Sequence, residues 1–150
     1  MESNKHLTWA QRFCSQRECC AQELSQKLQV RGTDEKEIAQ IIEKLTHSSF
    51  LDETRYVRAF VHDKSHLQGW GPQKIRFALR AKQIPDALIR EALDSLDQCA
   101  QTEVLRRLLQ VKRKTIKAKS ATEMRTKLIR FALGRGFNYE QIINTITSQD

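Results

Sequence analysis

The sequence predicts an all-α protein built as three tandem three-helix units, and three observations carry that prediction. The first is internal repetition. Moving the stretch Ile75 to Leu96 back by 51 positions sets Ile75 on Leu24, Leu79 on Leu28, Lys82 on Arg31, Ile89 on Ile38, Leu93 on Ile42 and Leu96 on Leu45 without a gap. Moving it forward by 53 sets Ile75 on Leu128, Lys82 on Arg135, Ile84 on Phe137, Ile89 on Ile142 and Leu93 on Ile146. The second is a shared apolar-apolar-x-x-apolar-apolar helix ahead of each pair: Trp9, Ala10, Phe13, Cys14; Tyr56, Val57, Phe60, Val61; Val104, Leu105, Leu108, Leu109. The third is composition. With 5 Gly and 2 Pro and no alternating β-branched runs, nothing favours strands. A period near fifty residues marks a stacked helical array, in which no unit can bury its apolar stripe alone. The units are predicted over 1–47, 48–98 and 99–150.

In chain order, the first helix is predicted from about Leu7 to Arg17, with Trp9 and Phe13 on its core stripe. A break at Glu18 to Cys20 leads into a second helix with Leu24 and Leu28 inward. Gly32 suits a left-handed helix ending that glycine adopts cheaply. Asp34 with Glu37 reads as a capping box for a third helix ending near Leu45, and His47 to Leu51 is a hinge. Asp52 is a good N-cap for a helix from Glu53 to about Asp63. Lys64 to Gly71 forms a longer connection in which Gly69 and Gly71 break the chain. Pro72 then starts a helix, because its missing N–H is not needed in a first turn, and Ile75, Ala78 and Leu79 share one face. Pro85 restarts another helix with Leu88, Ile89, Ala92, Leu93 and Leu96 on its stripe. A long helix is predicted from about Cys99 as far as Lys119. Ser120 with Glu123 makes a second capping box, Gly136 a second glycine ending, and the last helix runs from about Tyr139 to Ser148.

Charge is unevenly spread. The net charge is +8; residues 1–50 carry seven basic and seven acidic groups, residues 51–100 eight and seven, residues 101–150 eleven and four. The excess sits in the last third, around K-R-K-T-I-K-A-K, and suggests a polyanionic partner or an acidic protein surface. Arg31, Lys82 and Arg135 occupy equivalent positions at the end of each second helix. There the exposed carbonyls favour a cation by roughly half a kcal/mol, so they read as structural. Arg76 and Arg80 lie four apart, opposite Ile75 and Leu79, with Gln73 beside them. Phe77 is near that side too, as a packing residue or as an aromatic anchor between arginines. Lys127 and Arg130 take the outward face of the matching third-unit helix.

Cys14, Cys19, Cys20 and Cys99 include no C-x-x-C pair, and reduced thiols are expected. His62 and His66 share a helix face without a placed acidic or thiol partner, so no metal is expected. There is no signal-peptide core and no apolar run able to span a bilayer, from which a soluble cytoplasmic protein is expected. No H-E-x-x-H, phosphate-cradling glycine loop or nucleophile elbow is present, so neither catalysis, a cofactor nor a small-molecule substrate is expected.

F-L-D-E-T-R-Y-V-R-A-F-V followed by G-W-G-P-Q-K-I-R-F-A-L-R-A-K-Q-I, together with the closing I-R-F-A-L-G-R-G-F-N-Y-E-Q-I, resembles the signature of RecX proteins, bacterial regulators of the RecA recombinase. The matching positions include Asp52, Gly69, Gly71, Pro72, Ile75, Leu79, Lys82, Arg135 and Gly136. The family usually has glycine after the lysine, where this chain has Gln83. Glutamine resists the left-handed conformation, which leaves that helix ending open. The resemblance implies an elongated, curved array that binds along the RecA filament on DNA, blocks the recombinase and so modulates recombination, DNA repair and the SOS response. From charge and face alone, the expected contacts are Arg76, Arg80, Lys112, Arg113, Lys117, Lys119, Lys127 and Arg130, on a monomer that also binds DNA weakly. The competing reading is a helical-repeat module in which the same residues neutralise phosphates, with the steep salt dependence such contacts confer.

Overall fold

A computed structural model describes residues 2–149 of the chain. Over these residues the order is α1 (Glu2–Gln16), α2 (Ala21–Val30), α3 (Glu35–His47), α4 (Glu53–His66), α5 (Pro72–Ala81), α6 (Asp86–Asp94), α7 (Gln98–Thr115), α8 (Ala121–Gly134) and α9 (Tyr139–Gln149), with no strand among the described residues. The helices pack in three successive trios, and α4 against α7 joins the second trio to the third. Each trio has its own core. Leu24, Leu28 and Leu45 are fully buried in the first, Ile75 and Leu79 in the second, Leu109, Leu128 and Ile142 in the third. Burying one such side chain contributes about 1.5–3 kcal/mol. Two residues cross over: Cys20 packs into the second core, and Leu51 into the first.

The end of α4 moves from about Asp63 to His66, so Lys64 to His66 belong to the helix and not to the connection, and two larger corrections are needed elsewhere. First, α1 begins at Glu2 rather than Leu7, because S-N-K-H holds no residue that stops a helix. Second, α7 ends at Thr115 rather than Lys119. Ile116 turns extended (φ −82°, ψ 131°) and packs on the third core, so Lys117 to Lys119 form a turn into α8. Asp52, Asp34 and Ser120 cap as expected, accepting from the N–H groups of Arg55, Glu37 and Glu123. Pro72 occupies the first turn of α5.

The middle helix of every trio ends in the same way. Gly32, Gln83 and Gly136 take φ of 85°, 61° and 99°. Their N–H groups donate to Gln29, Arg80 and Leu133, while the next residues, Thr33, Ile84 and Phe137, donate back to Leu28, Leu79 and Ala132. This is the Schellman pairing. Gln83 therefore keeps the ending left open by the sequence, at the cost of the left-handed strain a Cβ brings. Its exposed side chain makes no hydrogen bond among the described residues. Gln83→Gly is expected to stabilise by about 1 kcal/mol and raise the thermal midpoint by ~3 °C; an unchanged or lower midpoint in a melting curve would show that the turn is unstrained.

Candidate partner-binding surface

Two kinds of joint set the relative placement of the units. Between the first and second, side chains meet. Glu23 accepts from Lys82 Nζ at 2.6 Å and from Tyr56 Oη at 2.9 Å, and pairs with Arg17 at 3.3 Å. Burial pushes the Glu23 carboxyl up, but hydrogen bonds from Lys82 and Tyr56 and the charges of Lys82 and Arg17 outweigh it and hold the group below its ordinary value. The same burial and the Glu23 carboxylate push the Tyr56 phenol up. Cys20 gives α2 no side-chain cap; the Ala21 N–H donates to Glu53 of the second unit at 3.2 Å. Arg55 binds Glu18 at 3.0 Å and the Ser49 carbonyl at 3.0 Å.

Between the second and third units the backbones themselves meet. The Gly71 N–H donates to the Arg135 carbonyl at 2.7 Å and the Gln73 N–H to the Gly136 carbonyl at 2.9 Å. Thus the donors at the start of α5 are satisfied by carbonyls at the end of α8, an alignment that helix dipoles favour. Arg135 Nη2 donates to the Gln68 carbonyl at 2.6 Å. Lys82 and Arg135 each reach back to the preceding unit, Lys82 to Glu23 and Arg135 to the Gln68 carbonyl. Arg31 instead lies over the Trp9 ring at 4.6 Å.

The expected contact residues form two groups. On α5, Arg76 Nη1 donates to Gln73 Oε1 at 3.0 Å, and Arg80 pairs with Asp86 at 3.0 Å. Phe77 between them is 77% exposed, so it packs against no neighbouring helix and stands as a surface aromatic flanked by arginines. On the third unit, Lys112 lies over the Phe131 ring at 5.1 Å. Lys127 bridges Glu123 at 3.0 Å and the Lys117 carbonyl at 2.7 Å, pinning the basic turn to α8. Hydrogen bonds from Lys127 and the Lys119 N–H lower the Glu123 carboxyl. Arg113, Lys117, Lys119 and Arg130 are exposed and make no ion pair among the described residues. The cationic flank is thus interrupted by Asp86 and Glu123, and Arg80 and Lys127 are partly neutralised. Lys114 adds an exposed cation to the same turn-end of α7.

Among the described residues no group of three or more His, Cys, Asp or Glu could hold a metal ion, and His62 and His66 stack on each other, centroids 4.4 Å apart. Cys14 and Cys19 face each other in the first core with sulfurs 2.6 Å apart. The mutual hydrogen bond lowers the Cys14 thiol and raises that of Cys19. No helix among the described residues is long and apolar enough to cross a membrane.

Comparison with known proteins agrees with this organisation. Family models described as the first, second and third three-helix domains of RecX match residues 7–45, 52–93 and 100–145. A regulatory protein RecX of Chlorobaculum tepidum is 32% identical over 124 residues, 83% of this chain and 75% of the relative. The chain belongs to the RecX family. A RecX of Acinetobacter baylyi is 28% identical over 132 residues, 88% of this chain and 80% of the relative. A Clostridium botulinum RecX is 34% identical over 122 residues, but these span only 57% of that protein. The chain therefore covers little more than half the length of such clostridial relatives. The crystal structure of RecX from Lactobacillus salivarius superposes with a TM-score of 0.86 at 23% identity, covering 97% of this chain and 95% of that one, which establishes the fold. The Gly71–Gly136 approach and the Glu23 cluster escaped the sequence reading. The only signal was that three equivalent cations ended three equivalent helices.

Proposed function

We propose that the protein binds the RecA nucleoprotein filament and inhibits the recombinase, modulating recombination, DNA repair and the SOS response from the cytoplasm as a monomer. The observation that carries this is membership of a family of regulatory proteins through all three units. The surface fits a docking role: Arg76, Phe77 and Arg80 form an aromatic anchor with a cationic rim, a composition enriched where protein interfaces concentrate their binding energy. A second contribution comes from direct DNA contact. It is favoured by Arg113, Lys117, Lys119 and Arg130, four exposed cations without ion-pair partners among the described residues.

Purified protein is expected to inhibit RecA strand exchange and DNA-dependent ATP hydrolysis at near-physiological salt. Phe77→Ala with Arg76→Glu, the first exposed and the second half-buried beside Gln73, should weaken inhibition roughly tenfold or more while lowering the thermal midpoint by no more than a few degrees. Wild-type protein that neither inhibits nor associates with filaments would remove the proposal. For the DNA contribution, affinity for bare DNA should fall with salt by about 0.9 log units per phosphate contact per log of salt. Arg113→Glu with Lys117→Glu should flatten that slope, and an unchanged slope would exclude those residues.

A further inference from the structure

Each unit carries the same groove, between the first helix and the end of the second. In the second it is lined by Tyr56, Phe60, Lys64 and Lys82. In the third it is lined by their repeat equivalents Val104, Leu108, Lys112 and Arg135. The first unit repeats it with Trp9, Arg17 and Arg31, adding Lys27 and Val30, around a volume of about 570 Å³. What differs is the occupant. Glu18 and Glu23 of the first unit enter the second groove, where Glu23 meets Lys82. The chain from His66 to Gly69 of the second unit lines the third, where the Gln68 carbonyl meets Arg135. Nothing from another unit lines the first groove among the described residues. Arg31 has no oxygen acceptor there and lies on Trp9, Lys27 has none and lies 5.8 Å from the Phe13 ring, and Val30 is 89% exposed.

We propose that this groove is a docking socket for an acidic segment of a protein partner, whose carboxylate meets Arg31 as Glu23 meets Lys82 while an apolar side chain covers Val30 and the Trp9 edge. The filled grooves specify the ligand chemistry, an oxygen acceptor on a peptide chain. Nucleic acid fits less well, because the floor of the groove is apolar and both filled grooves take an acceptor carried on a peptide chain. A second copy fits poorly as well. In the repeat register that sets Leu24 on Leu128, the segment of its third unit equivalent to Glu18–Glu23 is Thr122–Lys127, which puts Lys127 where Glu23 stands, and Arg31 and Lys27 repel it. The partner is RecA only if the reading above holds.

The test measures binding of wild type and the Lys27→Glu/Arg31→Glu variant to RecA on single-stranded DNA and to that DNA alone. Both positions are exposed, so the variant should still fold, with a thermal midpoint lower by a few degrees from the lost helix-end and ring contacts, and Arg31→Lys keeps those contacts in kind. Filament affinity is expected to fall roughly tenfold or more, with bare-DNA affinity unchanged and Arg31→Lys retaining most of the binding. Wild-type filament affinity in the double variant would overturn the socket, as would an equal loss on bare DNA or self-association that the variant abolishes. If wild type does not bind filaments, the function proposed above fails on its own. The socket is then decided by fluorescence of Trp9 in a Trp70→Phe background, titrated with a short peptide of alternating glutamate and leucine. A saturable change lost with Arg31→Glu supports it, and no change overturns it.

Discussion

Gly71→Ala is expected to destabilise the protein by about 3 kcal/mol, at the upper end of overpacking effects, and to lower its thermal midpoint by about 10 °C. A Cβ at this position would lie 2.3 Å from the Phe137 nitrogen, 2.4 Å from the Gly136 carbonyl carbon and 2.5 Å from its oxygen. All three are backbone atoms, so no rotamer change relieves the overlap. The third unit would have to move away, and the Gly71–Arg135 and Gln73–Gly136 hydrogen bonds would lengthen or break. Because units of an array touch mainly their neighbours, faster hydrogen exchange should concentrate at those amides and in α8 and α9. Gly134→Ala is the control: it lies in a helix with nothing within 4 Å of the added carbon, and should be neutral or mildly stabilising. A Gly71→Ala protein that melts like wild type would show that the two backbones do not meet this closely.

Glu23→Ala should cost about 2 kcal/mol, since it strands a buried phenol and an ammonium together. Side-chain exposures of 14% for Glu23 and 29% for Lys82 place the pair between surface and interior, which is why the figure is not larger. The acid dependence follows from linkage. The folded Glu23 carboxyl titrates below its ordinary 4.5, so the unfolded chain binds more protons in that range. The stabilisation is complete above about pH 4.5 and is lost as pH falls through the folded value. Glu23→Gln, similar in shape, should therefore be less stable at neutral pH yet lose less stability on acidification. Equal acid limbs for the two proteins in chemical denaturation would mean that the carboxylate is not what joins the units.

The helices were legible because local signals agreed: apolar faces at 3.6-residue spacing, Asp52 and Ser120 as caps, Pro72 in a first turn. The units were legible because the repeat survives without gaps. What holds them together was not. Lys82 looks like any cation at a helix end, and its partner lies 59 residues away, beyond what periodicity can relate. Gly71 looked like a helix break, whereas its lack of a side chain serves a close approach to a segment far along the chain. Arg80 and Lys127 read as open cations because Glu123 was already assigned to a capping box, while Asp86 lies six residues from Arg80 across a turn, outside the spacing that relates residues on one helix face. Gln83 kept its left-handed turn because the apolar Ile84 that follows is buried, and burial outweighs one residue's backbone preference.

The unlike joints give the molecule two articulations of different character. Ionic contacts weaken with salt and acid, whereas amides bonded to carbonyls at a snug glycine crossing respond to neither. Lowering pH, and to a lesser degree raising ionic strength, should therefore loosen the N-terminal trio, which the apolar crossings of Cys20 and Leu51 still hold, while the other two trios travel as one stiff body. In such a ruler only the leading segment is free to change its tilt.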